Sequence, residues 1–535
     1  MHYIFTLLIL FTLSTTNSMA TTYYVSPNGN DSANGRSHSN AWKTIDKVNR
    51  YTFNAGDDVY FKNDASWKLE ILNVNWSGTA NNRVIIGSYY LNNGVETLGL
   101  TPDLNKPKII GSYSGPCAGT PGSCIHNENS VPTSGYEGLI NIAGDYVTIQ
   151  NIRVQHSAGR GIVLANKFHH VILENNEVYY TAGNSTIFNR GSSYNIFRNN
   201  DTSYCAVGWK NGDWVAVRKS GWPTCNSAVG SHHNIFENNY VHESYGEGIV
   251  LLEGGTNNIV RGNTLVAIRS TNIYMDNGSR NVIENNMIVG DRDGQFVRGV
   301  SEDGHRYGGG IDVKVETYPS MKSSIKNIVR NNLLVHSDGF LMGLEPAAEL
   351  AGKKVGVKLL NNTLVETAFY VKLIDSEEFY DVETEIANNI FYGSKLKDQG
   401  CLITPNTISL HSNFWSHAQS RANCTDISGA KIGNPELKRS DWSSVGINNI
   451  PSADDFSLKD TSPARNAATT RSTPSIQNNE FDQVNNLSGN CSFDLTENSK
   501  DYNCNVRGNK SSMGAINSPL LLISAPMPPR NINVN

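Results

Sequence analysis

Residues 259–289 read IVRGNTLVAIRSTNIYMDNGSRNVIENNMIV. One phrase occurs twice here, first as IVRGNTL and again as IENNMIV: a β-branched run, a charged residue, Asn or Gly followed by Asn, and a second apolar run. Between the copies lies NIYMD, set off by Ser, Thr, Asn and Gly. Short β-branched runs punctuated in this way are strands joined by tight corners. The phrase spreads outward in both directions, as TIQNIRV, ILENNEV, IFRNNDT and IFENNYV before it and IVRNNLLV, LLNNTLV, IANNIFY and LHSNFW after it. Its corner falls at residues 151, 175, 199, 238, 262, 285, 331, 361, 388 and 412. The base step is about 24 residues, and the wider steps after 199, 285 and 331 mark insertions.

A repeat of this length suits a leucine-rich solenoid or a parallel β-helix. The Leu-and-helix pattern of the first is missing. The sequence therefore predicts an all-β, right-handed, single-stranded parallel β-helix with coils stacked about 4.8 Å apart. An Asn at the same corner of every coil can hydrogen-bond the Asn above and below, and Asn tolerates the left-handed backbone of a tight corner. Composition is consistent with this. At 17% charged residues the chain is no coiled coil, and its aromatic and β-branched residues run throughout, unlike a disordered chain. A net charge of −5 over 535 residues gives no whole-protein signal for nucleic acid.

Residues 1–20, MHYIFTLLILFTLSTTNSMA, combine an apolar run from Tyr3 to Leu13 with Ser18-Met19-Ala20, the pattern of a secretory leader cut after Ala20. The run is shorter than the roughly 20 residues a spanning helix needs. The expectation is a soluble, monomeric chain, secreted or periplasmic, with no membrane partner. Eight cysteines in such a compartment read as disulfides, and their clustering favours Cys117–Cys124, Cys205–Cys225, Cys401–Cys424 and Cys491–Cys504. Residues 21–137 are read as an N-terminal cap with the first coils and a long loop. Residues 138–413 are the solenoid core with its insertions, and 414–535 a loop-rich C-terminal capping region and tail. AWKTIDKVN (41–49) reads as a short amphipathic helix that covers the open core, as solenoid ends require.

YYVSPNGNDSANG (23–35), AWKTIDKVN (41–49), GDDVYFK (56–62), the NN coils, DFSLKDTSPARNAA (455–468) and MGAI (513–516) are similar to secreted right-handed β-helix proteins of the pectin-lyase-like superfamily. The resemblance covers about residues 21–517. It implies the fold, and it implies a carbohydrate-active protein, although the superfamily holds polysaccharide lyases, glycoside hydrolases, epimerases and non-enzymatic members. The G-H-G with R-I-K of polygalacturonases, the D-P-H of alginate epimerases and the N-G-K-S-E of chondroitinase-B-like lyases are all missing. The resemblance thus carries over no catalytic residue.

Stacking the coils supplies a site instead. The strands that start 13–14 residues before the Asn corner align as GIVLA (161–165), GIVLL (248–252), NIYMD (272–276), GIDVK (310–314), GFLMG (339–343) and AFYVK (368–372). Alternation turns the second and fourth positions inward, and all are apolar. The third and fifth positions face outward. They set Asp276 beside Lys314 on adjacent coils, Asp312 diagonal to Asp276, Lys372 beyond Gly343, and Tyr274 and Tyr370 at the flanks. Arg190 and Arg218 extend the column. The longest insertion, DRDGQFVRGVSEDGHRYGGG (291–310), walls the patch with Arg298, His305, Arg306 and Tyr307. The Cys205–Cys225 insertion brings Trp214. Long loops on a rigid solenoid carry function, and aromatic rings beside charges suit sugars. VHESYGEG (241–248), with His242, Glu243, Tyr245 and Glu247, is a further candidate, and His232-His233 is read as a turn.

Three functions use such a face. A polysaccharide lyase acting on an acidic, uronate-containing substrate needs a base, a group that neutralises the carboxylate and a proton donor. Lys314 is the expected base, Lys372 or Arg306 the neutraliser, and Tyr274, Tyr307 or His305 the donor. Ca²⁺ held by Asp276, Asp312 and Glu316 is an alternative neutraliser. Arg298, Arg218, Trp214, Tyr307, Lys372 and Tyr370 line the substrate path. A glycoside hydrolase or epimerase would use Asp276 and Asp312, roughly 8 Å apart by strand geometry, a spacing that suits inversion. A non-catalytic polysaccharide-binding protein would use the same groove for binding alone.

Overall fold

The computed structural model describes residues 20–101, 103–113, 131, 132, 136–207, 224–292, 299, 300, 306–317, 321–368, 370–373, 379–393, 401, 402, 408–416, 429–465 and 467. The chain is a right-handed parallel β-helix. Each coil contributes one strand to each of three long parallel sheets, which hold 14, 13 and 11 strands among the described residues. One coil runs Ile273–Asp276 in the 11-stranded sheet, Val282–Glu284 in the 14-stranded sheet and Met287–Val289 in the 13-stranded sheet. Inward residues from all three sheets form one continuous core, including Ile273, Met275, Ile283 and Ile288 of this coil.

Side-chain amides hold the corner between the 14- and 13-stranded sheets. Each repeat's two corner residues divide the work. The first takes the left-handed backbone, at φ 52 for Asn175, 54 for Asn199 and 55 for Asn285. The second is buried and bonds along the axis: Asn239 Nδ2 donates to Asn263 Oδ1 at 2.9 Å, and Asn263 Nδ2 to Asn286 Oδ1 at 2.9 Å. Asn263 Nδ2 also donates to Phe236 O at 2.9 Å, and its Oδ1 accepts from the Asn239 backbone N at 2.9 Å. The buried amide of Asn263 is therefore satisfied by the coils on either side of it. Gly262 takes the same left-handed backbone at its corner, at φ +62. A second ladder, Asn195, Asn234, Asn258, Asn281 and Asn327, occupies the corner between the 11- and 14-stranded sheets.

The ends are closed as expected at the N-terminus. Thr22–Val25 pairs in parallel with Asp58–Phe61. The short helix Ile45–Asn49, whose Lys47 N is capped by the Thr44 side chain, turns Ile45 and Val48 into the core. The described C-terminal segment, residues 429–465, is largely irregular and packs against the solenoid. Leu437, Trp442, Val445, Phe456 and Leu458 pack onto outward residues of the 13-stranded sheet, among them Val266, Met287, Val289, Leu333, Val335 and Phe414. The segment thus folds back over that face. The Cys205–Cys225 disulfide is formed. The other three expected pairs each have a cysteine outside the described residues.

Asn263→Ala leaves the Asn239 amide and the Phe236 carbonyl without their side-chain partners in a dry corner. We expect a loss of about 2–4 kcal/mol, against less than about 0.5 kcal/mol for the exposed Asn448→Ala, measured as the shift in urea unfolding midpoint.

Candidate functional site

The outward face of the 11-stranded sheet breaks from the apolar monotony of the core. In its middle, Ile273–Asp276 pairs with Ile311–Val315, so Tyr274 stands beside Asp312 and Asp276 beside Lys314. The next strand, Phe340–Leu344, sets Gly343 beside Lys314 and Leu341 beside Asp312. Ile311, Val313, Phe340 and Met342 point into the core, as the alternation requires. Gly310 precedes the central strand where a Cβ would lie 1.9 Å from Gly339 O, so this coil can enter the sheet only with glycine there.

The site is more enclosed than an open surface patch. Asp276 is 0% exposed, Asp312 3% and Tyr274 4%, although all three strand positions face away from the core. Asp276 Oδ1 accepts from Asn277 Nδ2 at 2.6 Å and from the Glu316 backbone N at 3.1 Å. Asp312 Oδ2 accepts from Thr271 Oγ1 at 3.0 Å. The Tyr274 hydroxyl donates to Glu316 Oε1. Burial, then the charges of Glu316, Asp276 and Glu247, raise the Tyr274 pKa well above its usual value. Glu247 is itself buried and begins the strand one coil earlier. Lys314 is the group that reaches out: its side chain is 23% exposed, its Nζ lies 3.9 Å from Asp312 Oδ2 and 5.7 Å from the Tyr274 ring centre.

Several sequence expectations change. Asp276 and Lys314 stand side by side as expected, while the Lys314 amine ion-pairs with Asp312 on its own strand. The Tyr274 hydroxyl, expected as a proton donor, is engaged by the Glu316 carboxylate and shifted toward weaker acidity. Tyr370 is fully buried against Phe391 and Trp415 and cannot touch substrate. Lys372 stands beside Leu341, two residues from the expected place beside Gly343. Arg190 sits at the corner after Thr186–Phe188 and pairs with Glu253. Arg306 and Tyr307 form a short antiparallel strand pair with Gly299–Val300, four residues upstream of Ile311. His305, Arg298, Arg218 and Trp214 lie outside the described residues. Among the described residues no three His, Cys, Asp or Glu side chains converge as a metal site.

The VHESYGEG candidate divides. Glu247 joins the site above. His242 and Glu243 face the other way, on the 13-stranded sheet. There His242 is clamped, Nε2 at 3.0 Å from Asp201 Oδ1 and Nδ1 at 2.9 Å from Glu243 Oε2, with the Tyr240 ring stacked at 4.3 Å. Tyr204 donates to Glu243 at 2.6 Å. Burial favours the neutral ring, but the hydrogen bonds and charges of Asp201 and Glu243 outweigh it and lift His242 to about 9. Both ring nitrogens are engaged, so this is a structural ion triad and not a free base. His232 and His233 sit at the corner before the 14-stranded sheet, their Nδ1 atoms 2.9 Å apart.

The family model described as the right-handed beta helix region matches residues 138–341. No curated protein matches the chain. Among solved structures, the complex of XylC with xylose aligns at TM-score 0.52 and 10% identity, covering 93% of this chain and 98% of that one. Pectate lyase Pel9A aligns at TM-score 0.46 and 14% identity, over 94% and 97%. The GH136 lacto-N-biosidase from Eubacterium ramulus aligns at 0.42 and 14%, over 77% and 68%. At these identities the likeness is one of fold.

The His242 triad has a pH signature. Its folded pKa of about 9 lies above the unfolded value near 6.5, so its stabilisation is full below about pH 6.5 and lost as pH rises through about 9. Thermal unfolding of wild type and His242→Gln between those limits should show the wild-type advantage shrinking as pH increases.

Proposed function

We propose that the chain is a carbohydrate-active enzyme that cleaves an acidic, uronate-containing polysaccharide by β-elimination, with Lys314 as the base. The observation that supports this is the contrast within one outward face: a solvent-reaching amine stands over carboxylates that are themselves buried. A hydrolase would need both Asp276 and Asp312 at the glycosidic bond, and neither reaches solvent.

Elimination runs as follows. The Lys314 ammonium that pairs with Asp312 first gives a proton to solvent, and the free Nζ then takes the proton from the ring carbon next to the uronate carboxylate. The electron pair forms the ring double bond as the glycosidic C–O bond breaks. The leaving oxygen is protonated, by the resulting Lys314 ammonium or by water, giving a new hydroxyl end and an unsaturated uronosyl end. Asp312 holds the Lys314 side chain at the strand, and the Tyr274–Glu316 hydrogen bond fixes the ring beneath the amine. Lys372, two coils on, is a cation for binding an anionic chain. Export, and substrate lining by the insertion at 291–310, belong to the same reading.

Ultraviolet absorbance of unsaturated ends against pectate, alginate and glycosaminoglycans is the direct test. A rising signal with one of them is expected, and Lys314→Ala should lose about 10²–10⁴-fold in kcat with its unfolding midpoint unchanged. Tyr274→Phe should lose less, by loosening the ring. Absorbance that stays flat while reducing ends accumulate would replace elimination with hydrolysis.

A further inference from the structure

Asp57 is 2% exposed. Its Oδ1 accepts from the Thr21 backbone N at 2.9 Å, and its Oδ2 accepts from the Asn54 backbone N at 2.8 Å, with Asn54 Nδ2 at 3.4 Å. Among the described residues no Lys, Arg or His side chain pairs with it. The Thr21 carbonyl accepts from Asp58 N at 2.9 Å, so Thr21 is held on both sides as the first strand begins. Ala20, one residue earlier, is exposed.

A buried carboxylate served only by amides lacks a compensating cation, and such a charge is expensive to keep from water. The sequence marks Ala20–Thr21 as the junction where the leader ends. Hydrolysis of that peptide bond adds one water: Ala20 departs with a carboxylate, and the Thr21 nitrogen becomes an amine that takes up a proton at neutral pH. The new ammonium arises at the atom already 2.9 Å from Asp57 Oδ1. A hydrogen bond from a neutral amide to the carboxylate becomes an ion pair between an ammonium and the carboxylate.

We propose that Asp57 is a receptor site for the α-ammonium of the chain cut between Ala20 and Thr21. The ion pair formed there fastens the first strand, and with it the cap that covers the end of the core. The site demands a defined terminus, because one extra residue carries the ammonium about 3.4 Å along the chain and restores an amide beside Asp57. The inference rests on removal of the leader at that bond, which the first arm of the experiment reads separately.

The full chain is expressed in an exporting host, alone and with one Gly inserted between Ala20 and Thr21, each with and without Asp57→Asn. Terminal sequencing of the exported protein should begin at Thr21, and a different first residue would overturn the proposal at its premise. For correctly cut protein, the Gly-extended form should melt several degrees lower, and Asp57→Asn should abolish that difference. Equal midpoints, or a difference that persists in Asp57→Asn, would overturn the receptor role. The two Asp57 forms also supply a readout that needs no folded Asp57→Asn protein. The α-amine of Thr21 should resist acylation at neutral pH while that of the added Gly reacts readily, and equal reactivity would count against the ion pair.

Discussion

A buried side-chain amide that donates to one coil and accepts from another sets the geometry on which the molecule depends. Asn239, Asn263 and Asn286 share one corner, and each bond between them fixes the register of two successive coils. Register in turn decides which side chains share a column. In a parallel in-register stack each residue stands beside its counterpart in the next repeat, so a column of one charge would repel itself. The 14-stranded sheet solves this by alternation: Glu174, Arg198, Glu237, Arg261, Glu284 and Arg330 follow one another down its outer face. Three close ion pairs result, Glu174–Arg198, Glu237–Arg261 and Glu284–Arg330.

The three faces have consequently different work. The outer face of the 14-stranded sheet carries the charge ladder. Much of the 13-stranded face lies under the C-terminal segment, whose Trp442 and Phe456 pack 4.8 Å apart over it. The 11-stranded face departs from repetition, with Tyr, Asp and Lys in place of aliphatic residues over two adjacent coils. Nothing in coil stacking calls for buried Asp276 and Asp312 there, and burying them has a free-energy cost that hydrogen bonds from Asn277, Glu316 and Thr271 offset. That expense, on the face where the coil repeat is broken, is what supports the proposal that this is the functional face.

Period, sheet parity and the inward columns were legible because a side chain must alternate in or out whatever the corner does. The Tyr274–Asp312 and Asp276–Lys314 neighbours followed for the same reason, since the strands Ile273–Asp276 and Ile311–Val315 keep the simple alignment. Lys372 did not. The coil before it holds the extra helix Pro346–Leu350, and the slip amounts to two residues, which leaves the hydrophobic pattern unchanged. Tyr370 then falls before the strand and turns inward. The burial of Asp276 was also hidden, because one of its hydrogen bonds comes from the Glu316 backbone, 40 residues on. The second Asn ladder was readable: Asn195, Asn234, Asn258, Asn281 and Asn327 each stand four residues before a repeat corner.

Hydrogen–deuterium exchange of the Lys314→Ala protein, with and without a uronate oligosaccharide, locates the working face directly. Protection of amides in 272–276 and 311–316 is the predicted result. Protection confined to 177–181 and 240–244, on the 13-stranded sheet, would contradict it.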